Sequence, residues 1–292
     1  MRHGQSTFFR EYLAELAERQ LLLGSATTEI GVGGDVRSSV CTVERDPLGG
    51  IRLEKMAPVI SYGANADAIL ATARRSPESP PNDQVLVLCR PPGLTLEPIS
   101  GWDTLGFRGT CSLGYRLVAA GDGELVMSDP YGEISSQTML PVSHVLWSSV
   151  WLGLATAAAD KARRFVRSEA RKKPGVTPPS ALRLTELIVQ LQRMEELVRG
   201  SARRYDQLCD DLDALAGMRF AIAMNSLKVS ASILVVDIVN RAMLICGMAG
   251  YKEDSPYSLG RNLRDAQGAA IMINNDRINS NTAQMLLVHK ED

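Results

Sequence analysis

The sequence predicts an α+β protein, an antiparallel β-barrel or sandwich domain followed by a four-helix bundle. Three observations predict it. Between residue 24 and about residue 135, short β-branched and apolar runs alternate with Gly, Pro and Asp punctuation. From Pro141 almost to the end, apolar residues recur instead at spacings of three and four. A lone amphipathic segment precedes both, so the chain divides into a helical remnant (1–23), a β domain (24–135) and a helical domain (136–292).

Residues 7–23 place Phe8, Tyr12, Leu13, Leu16 and Leu21 on roughly one face and read as one helix, the end of a larger helical unit. Residues 36–43 (VRSSVCTV) read as a strand. The Asp-Pro-Leu-Gly-Gly of 46–50 reads as the turn of a hairpin whose second arm is 50–55. Further strands are expected at 58–61, 66–73, 84–89, 94–98 and 115–118, with the proline-rich 76–83 (SPESPPND) as a surface loop.

In the helical half, 145–169 has an alanine-rich interior and closes on Lys172, Lys173, Pro174 and Gly175, a basic end followed by breakers. Ser180 or the prolines before it open a second helix, with Leu184, Leu187, Ile188, Leu191, Met194, Leu197 and Val198 as its apolar stripe. A third helix is expected over 211–247 and a fourth over 259–288. Four long helices with short connections make a bundle.

Composition narrows the function classes. Of 292 residues, 45% are hydrophobic and 22% charged, and the net charge is -1, the profile of a soluble globular protein. A nucleic acid or an anionic membrane is not the expected main partner of such a chain. Cys41, Cys89, Cys111, Cys209 and Cys246 form no C-x-x-C pair, and only His3, His144 and His289 could join them, so no zinc site is expected. Scattered cysteines suit a reducing compartment, and the first residues lack the apolar run of a signal peptide. The apolar stretch 145–159 is too short to span a bilayer, and 231–249 carries Asp237, Asn240 and Arg241. A soluble cytoplasmic protein is the expectation.

Five segments, in order, carry a resemblance. Residues 26–36 (ATTEIGVGGDV) resemble a TE-x-G-x-G-S/G-D loop, and 58–67 (PVISYGANAD) resemble W-I-T-N-G and its turn. Residues 105–112 (LGFRGTCS) are similar to LG-M-R-G/A-S/T, and 247–251 (GMAGY) to G-G-x-G-Y. Arg264-Asp265-Ala266 matches the R-D-A that opens a last helix. Together they resemble the acyl-CoA dehydrogenase superfamily over about residues 20–290, with most of the N-terminal helical domain lacking. The Gly31-x-Gly33 spacing is not a dinucleotide fingerprint, because no third glycine and no βαβ unit follow.

The resemblance implies FAD. It places Thr27 and Thr28 against the flavin, with Gly33 and Gly34 letting the main chain approach closely. Ser61 matches a threonine that touches the isoalloxazine, and Val59 stands where a tryptophan usually stacks on it. Arg171 or Lys172 is placed to reach a cofactor phosphate, although the usual Phe-Gly pair is missing there, and Gly247 lies in the turn matching G-G-x-G-Y, although Leu244 replaces the usual preceding glutamine. Read without the resemblance, these are strand residues, a glycine-rich turn and a basic helix end.

The same resemblance puts a catalytic carboxylate at position 273, where this chain has isoleucine, or at the start of the helical domain, where it has Ser143 and His144. Two ionisable residues stand near those slots. Asp276 follows Ile273 by one helical turn and is expected on nearly the same face. His144 could act as a base near neutral pH. The plainer readings are a solvated carboxylate and a satisfied helix-start histidine.

The implied function is a FAD-dependent oxidoreductase acting on an acyl-CoA, an acyl-carrier thioester or a related small molecule. The reaction is α,β-dehydrogenation, as in fatty acid metabolism, or a divergent flavin reaction such as oxygenation that needs no glutamate. A homodimer or tetramer is the expected assembly. Two alternatives stand beside it: a catalytically inactive partner subunit, with a complementary subunit supplying the N-terminal domain, or a truncated fragment of a longer enzyme.

Overall fold

The computed structural model describes residues 2–32 and 35–289. Helix α1, Thr7–Arg19, starts where Ser6 Oγ accepts from the Phe9 amide at 3.3 Å and ends where Gln20 turns left-handed (φ 53°). The expected helix over 7–23 is therefore too long by one turn. Leu23 belongs to strand β1, Leu23–Ala26, whose pairing with residues 68–71 outweighs another helical turn.

The chain forms two units. The first holds residues 1–104 and 108–135. It contains β2 (Glu44–Arg45), β3 (Gly50–Ala57), β4 (Ala68–Arg74), β5 (Gln84–Cys89), β6 (Leu94–Ser100) and β7 (Gly114–Asp122). One sheet runs β1-β4-β5 and the other β2-β3-β7-β6. All pairs are antiparallel except β1 with β4. The hairpin at 46–50 forms as its sequence demands: Asp46 Oδ1 accepts from the Leu48 and Gly50 amides, and Gly49 takes φ 91°. In β3 Ile51, Leu53 and Ala57 point inward with period two. They join Phe9, Tyr12, Ile69, Val85, Val87 and Leu117 in one core.

Two expected strands are absent. Residues 36–43 make turns and a single bridge at Thr42, because their amides turn to the carboxylate of Glu29 rather than to a ladder. Residues 58–61 form the approach to a turn in which Tyr62 is left-handed (φ 57°). A short helix α2, Tyr131–Ile134, ends this unit.

The second unit holds residues 105–107 and 136–292. Its long helices are α3 (Leu140–Lys172), α4 (Ser180–Leu208) and α6 (Met218–Cys246). Shorter ones are α5 (Leu212–Ala216), α7 (Met248–Tyr251), α8 (Gly260–Gln267) and α9 (Asn275–Val288). Gly217 separates α5 from α6, so the third expected helix is two. The fourth is also two: residues 268–274 form turns with Ile273 left-handed (φ 57°), and Asn274 caps α9. Leu187, Leu191, Met194 and Val198 form the buried stripe of α4 against Ala155, Ala159, Leu227 and Val235. Helix α6 and the helical run through α3 are long and apolar enough to cross a membrane by length and composition; both lend their inner faces to this core.

Candidate functional site

In the first unit the structure assembles four of the residues singled out by sequence. Thr27 and Thr28 leave the end of β1, half-buried. Two residues on, the Ile30 amide donates to Met56 O at 2.9 Å, which lays this loop beside the strand leading into Val59. A Cβ on Gly24 would meet Ile60 and Ala66, so the 58–66 turn also packs on β1. Val59 is 37% exposed and Ser61 is exposed beside it. Gly33 and Gly34 lie outside the described residues.

What holds this loop was not singled out from the sequence. Lys55, 1% exposed, donates to Glu29 Oε2 at 3.1 Å and to Thr72 O at 2.9 Å. Thr72 in turn reaches Thr27 O at 3.5 Å. Glu29 also accepts from Ser39 Oγ (2.7 Å) and from the amides of Val40 (3.1 Å) and Cys41 (2.7 Å). Burial pushes the Glu29 carboxyl up, but the Ser39 hydroxyl, the Lys55 charge and the amide bonds hold it below the usual range. It stays an anion. The loop after Thr28 is therefore fixed by a saturated carboxylate instead of a sheet ladder.

Ser61 is braced as well. Its Oγ lies 2.8 Å from Ser112 Oγ, and Ser112 Oγ lies 2.7 Å from Thr110 Oγ1. Ser112 is buried, so a buried hydroxyl orients an exposed one. Tyr62 and Cys111, both non-glycine residues at positive φ (57° and 44°), flank this chain of hydroxyls. Such backbone strain concentrates where a loop has a task besides folding.

In the second unit two of the resembling segments meet. Asp265 Oδ1 accepts from the Phe107 amide at 2.7 Å, and a Cβ on Gly106 would collide with the carbonyl of Arg264. The carboxylate and the bare glycine together seat 105–107 on α8.

The two candidate bases fare differently. Asp276 does not project from the face of Ile273, because the helix is broken between them. It sits in the first turn of α9, exposed, with its amide on Asn274 Oδ1 at 2.8 Å, a position where a carboxylate offsets the helix dipole. The reading of Asp276 as a base one turn beyond Ile273 is corrected accordingly. His144 is 3% exposed on α3. Burial, and then the charge of Lys228, lower its pKa to about 4, so its ring is neutral at pH 7. Its Nε2 has no hydrogen-bond partner among the described residues, and the satisfied ring expected of a helix-start histidine is not what the structure contains.

Arg171 lies exposed in the last turn of α3. Gly247 joins α6 to α7 at φ 53°, and a Cβ there would meet nothing within 4 Å. Lys228, also unforeseen, is fully buried on α6, where its ammonium bonds Ile273 O and Asn275 Oδ1 (2.7 Å). Burial lowers its pKa to about 8.

Comparisons with known proteins bear on the family and the fold. The amino sugar nitrososynthase DnmZ of Streptomyces peucetius is 28% identical over 272 residues, covering 89% of this chain and 64% of the relative. The dibenzothiophene monooxygenase of Mycolicibacterium goodii is 26% identical over 211 residues, covering 65% of this chain and 51% of the relative. The chain thus spans less than two thirds of the length of either. The crystal structure of FMN-bound TdsC from Paenibacillus sp. A11-2 superposes with a TM-score of 0.79 at 20% identity, over 96% of this chain and 74% of that one. Residues 133–283 match the family described as acyl-CoA dehydrogenase, C-terminal domain, and with that span over half its length the chain belongs to the acyl-CoA dehydrogenase family.

Proposed function

We propose that this chain is a flavin-dependent oxidoreductase whose reaction on a small molecule is an oxygenation rather than an acyl-CoA α,β-dehydrogenation. One observation carries the choice. Dehydrogenation of a thioester needs a carboxylate beside the substrate α-carbon, and the segment that would offer it holds Ile273, with Asp276 turned out to solvent. The nitrososynthase and monooxygenase relatives carry names of oxidations of that other kind.

The residues present fit a flat, partly polar ring system. Exposed Ser61 offers an oriented hydroxyl, Thr27 and Thr28 offer two more, and Val59 is an apolar surface in the same region. When bound, FAD or FMN supplies the redox chemistry. The chain's own contribution is to bind and orient: the Glu29–Lys55 pair fixes the threonine loop, and Ser112 aims the Ser61 hydroxyl. His144, neutral and buried, is the proton acceptor of this reading. Arg171, Gly247, Gly33 and Gly34 are proposed cofactor contacts on the resemblance alone. The protein is proposed to work in the cytoplasm as a homo-oligomer.

The experiment is direct. Protein loaded with FAD or FMN is photoreduced anaerobically and mixed with oxygen, and separately the oxidised form is mixed with butyryl-CoA and octanoyl-CoA. Reoxidation by oxygen is expected, with no bleaching of the flavin by either thioester. Bleaching by a thioester would replace oxygenation with dehydrogenation.

A further inference from the structure

Ser148 breaks a pattern on its own helix. Ser143 bonds Leu140 O at 3.0 Å, Ser149 bonds Val145 O at 2.8 Å, and Thr156 bonds Leu152 O at 2.8 Å. That back-bonding is the ordinary resort of a hydroxyl within a helix. Ser148 is 0% exposed, and its Oγ has no hydrogen-bond partner among the described residues.

Its neighbours on the same face share the condition. His144 Nε2, one turn before, and Trp151 Nε1, one turn after, are buried and without partners among the described residues. Spacings of four and three align the three residues, with consecutive Cβ atoms about 5–6 Å apart. Long helical side chains lean toward the N-terminus, which carries the indole of Trp151 over the turn of Ser148. Burying a polar atom unpaired costs its full desolvation, so three in succession on a core helix point to a missing partner. Farther along α3 the inner face is alanine (Ala155, Ala158, Ala162), so polarity is confined to this stretch.

The donor set defines the partner. Trp151 Nε1–H only donates, Ser148 Oγ–H donates or accepts, and His144 as a neutral imidazole has an acceptor nitrogen. Lys228, whose ammonium lies 5.5 Å from the Trp151 ring centre with no carboxylate paired to it among the described residues, keeps this region positive. We infer that the His144–Ser148–Trp151 face of α3 is a binding site for hydroxyl oxygen, with one oxygen that accepts from Trp151 Nε1 and meets Ser148 Oγ and with His144 Nε2 as a further acceptor on the same face. An ordered water and the hydroxyl of a small alcohol share that chemistry. Such a site goes beyond the flavin reading and does not depend on it.

Nuclear magnetic resonance on the full chain tests it. The indole N–H of Trp151 is assigned by its loss in Trp151→Phe, and its cross-relaxation with long-lived bound water is measured. The expected result is a cross-peak in the wild type that is lost in Ser148→Val and weakened in Ser148→Ala, a change small enough to keep the fold. Titration with methanol separates the sources. Replacement of the water peak by a methyl cross-peak identifies a site that takes ligand hydroxyls, and persistence of the water peak identifies a water site. Absence of any bound oxygen at the wild-type indole, with an unchanged indole shift in Ser148→Val, would overturn the inference.

Discussion

Lys55 occupies a position that the alternation of β3 reserves for apolar side chains, in register with Ile51, Leu53 and Ala57. That lysine on an apolar face is the signal by which the Glu29 pair is legible in the sequence. Removing it leaves a buried, unneutralised carboxylate, so Lys55→Met should cost about 3–5 kcal/mol in urea unfolding, with much of the loss recovered when Glu29→Gln is added. Equal losses in the single and double variants would contradict this account of the loop. His144 makes a prediction in pH. Its folded pKa, about 4, lies below the ordinary histidine value of 6.5, so the unfolded chain binds more protons between those limits. The stabilising effect is complete above pH 6.5 and disappears as pH falls through 6.5 toward 4, on the order of 3 kcal/mol. In His144→Phe that segment of the stability-pH curve should flatten; an unchanged slope would place the titration elsewhere. Position 144 was legible in the sequence as a candidate, but its neutrality was not, since that depends on burial within the bundle and on Lys228 from another helix.

At the scale of elements, sequence periodicity identified most strands and helices and missed those governed by distant partners. The strand expected at 36–43 gives way because Glu29, 11 and 12 residues before the amides it accepts from, competes for them. The last helix breaks because its turn is fastened by Lys228, 45 residues upstream, and capped by Asn274. No local pattern encodes either contact. The join between residues 105–107 and α8 is sharper still. Because a Cβ at position 106 would collide with the Arg264 carbonyl, Gly106→Ala forces backbone apart and should cost about 1–3 kcal/mol in thermal or urea unfolding. A neutral substitution there would mean that the segment is free to move away from α8.

For the whole molecule, the resembling segments were legible because they are short and ordered along the chain, and the family match over residues 133–283 takes in two of them, 247–251 and 264–266. Assembly is a separate matter. In the helical unit Ile233, Leu244, Met248, Tyr251, Ile271 and Leu287 are each more than half exposed, from 57% to 87%. So much apolar surface is expected to be covered by another copy, and light scattering at micromolar concentration should return a dimer or larger. A monomer would count against the proposed assembly. The proposed function stands on flavin binding by the Thr27–Thr28 loop and the Ser61 turn. FAD, and separately FMN, is added to the purified protein, the excess is removed and the visible absorption spectrum is recorded. Retained flavin absorbance is expected with at least one of the two, diminished in Ser61→Ala. No retained flavin with either would contradict the proposed site.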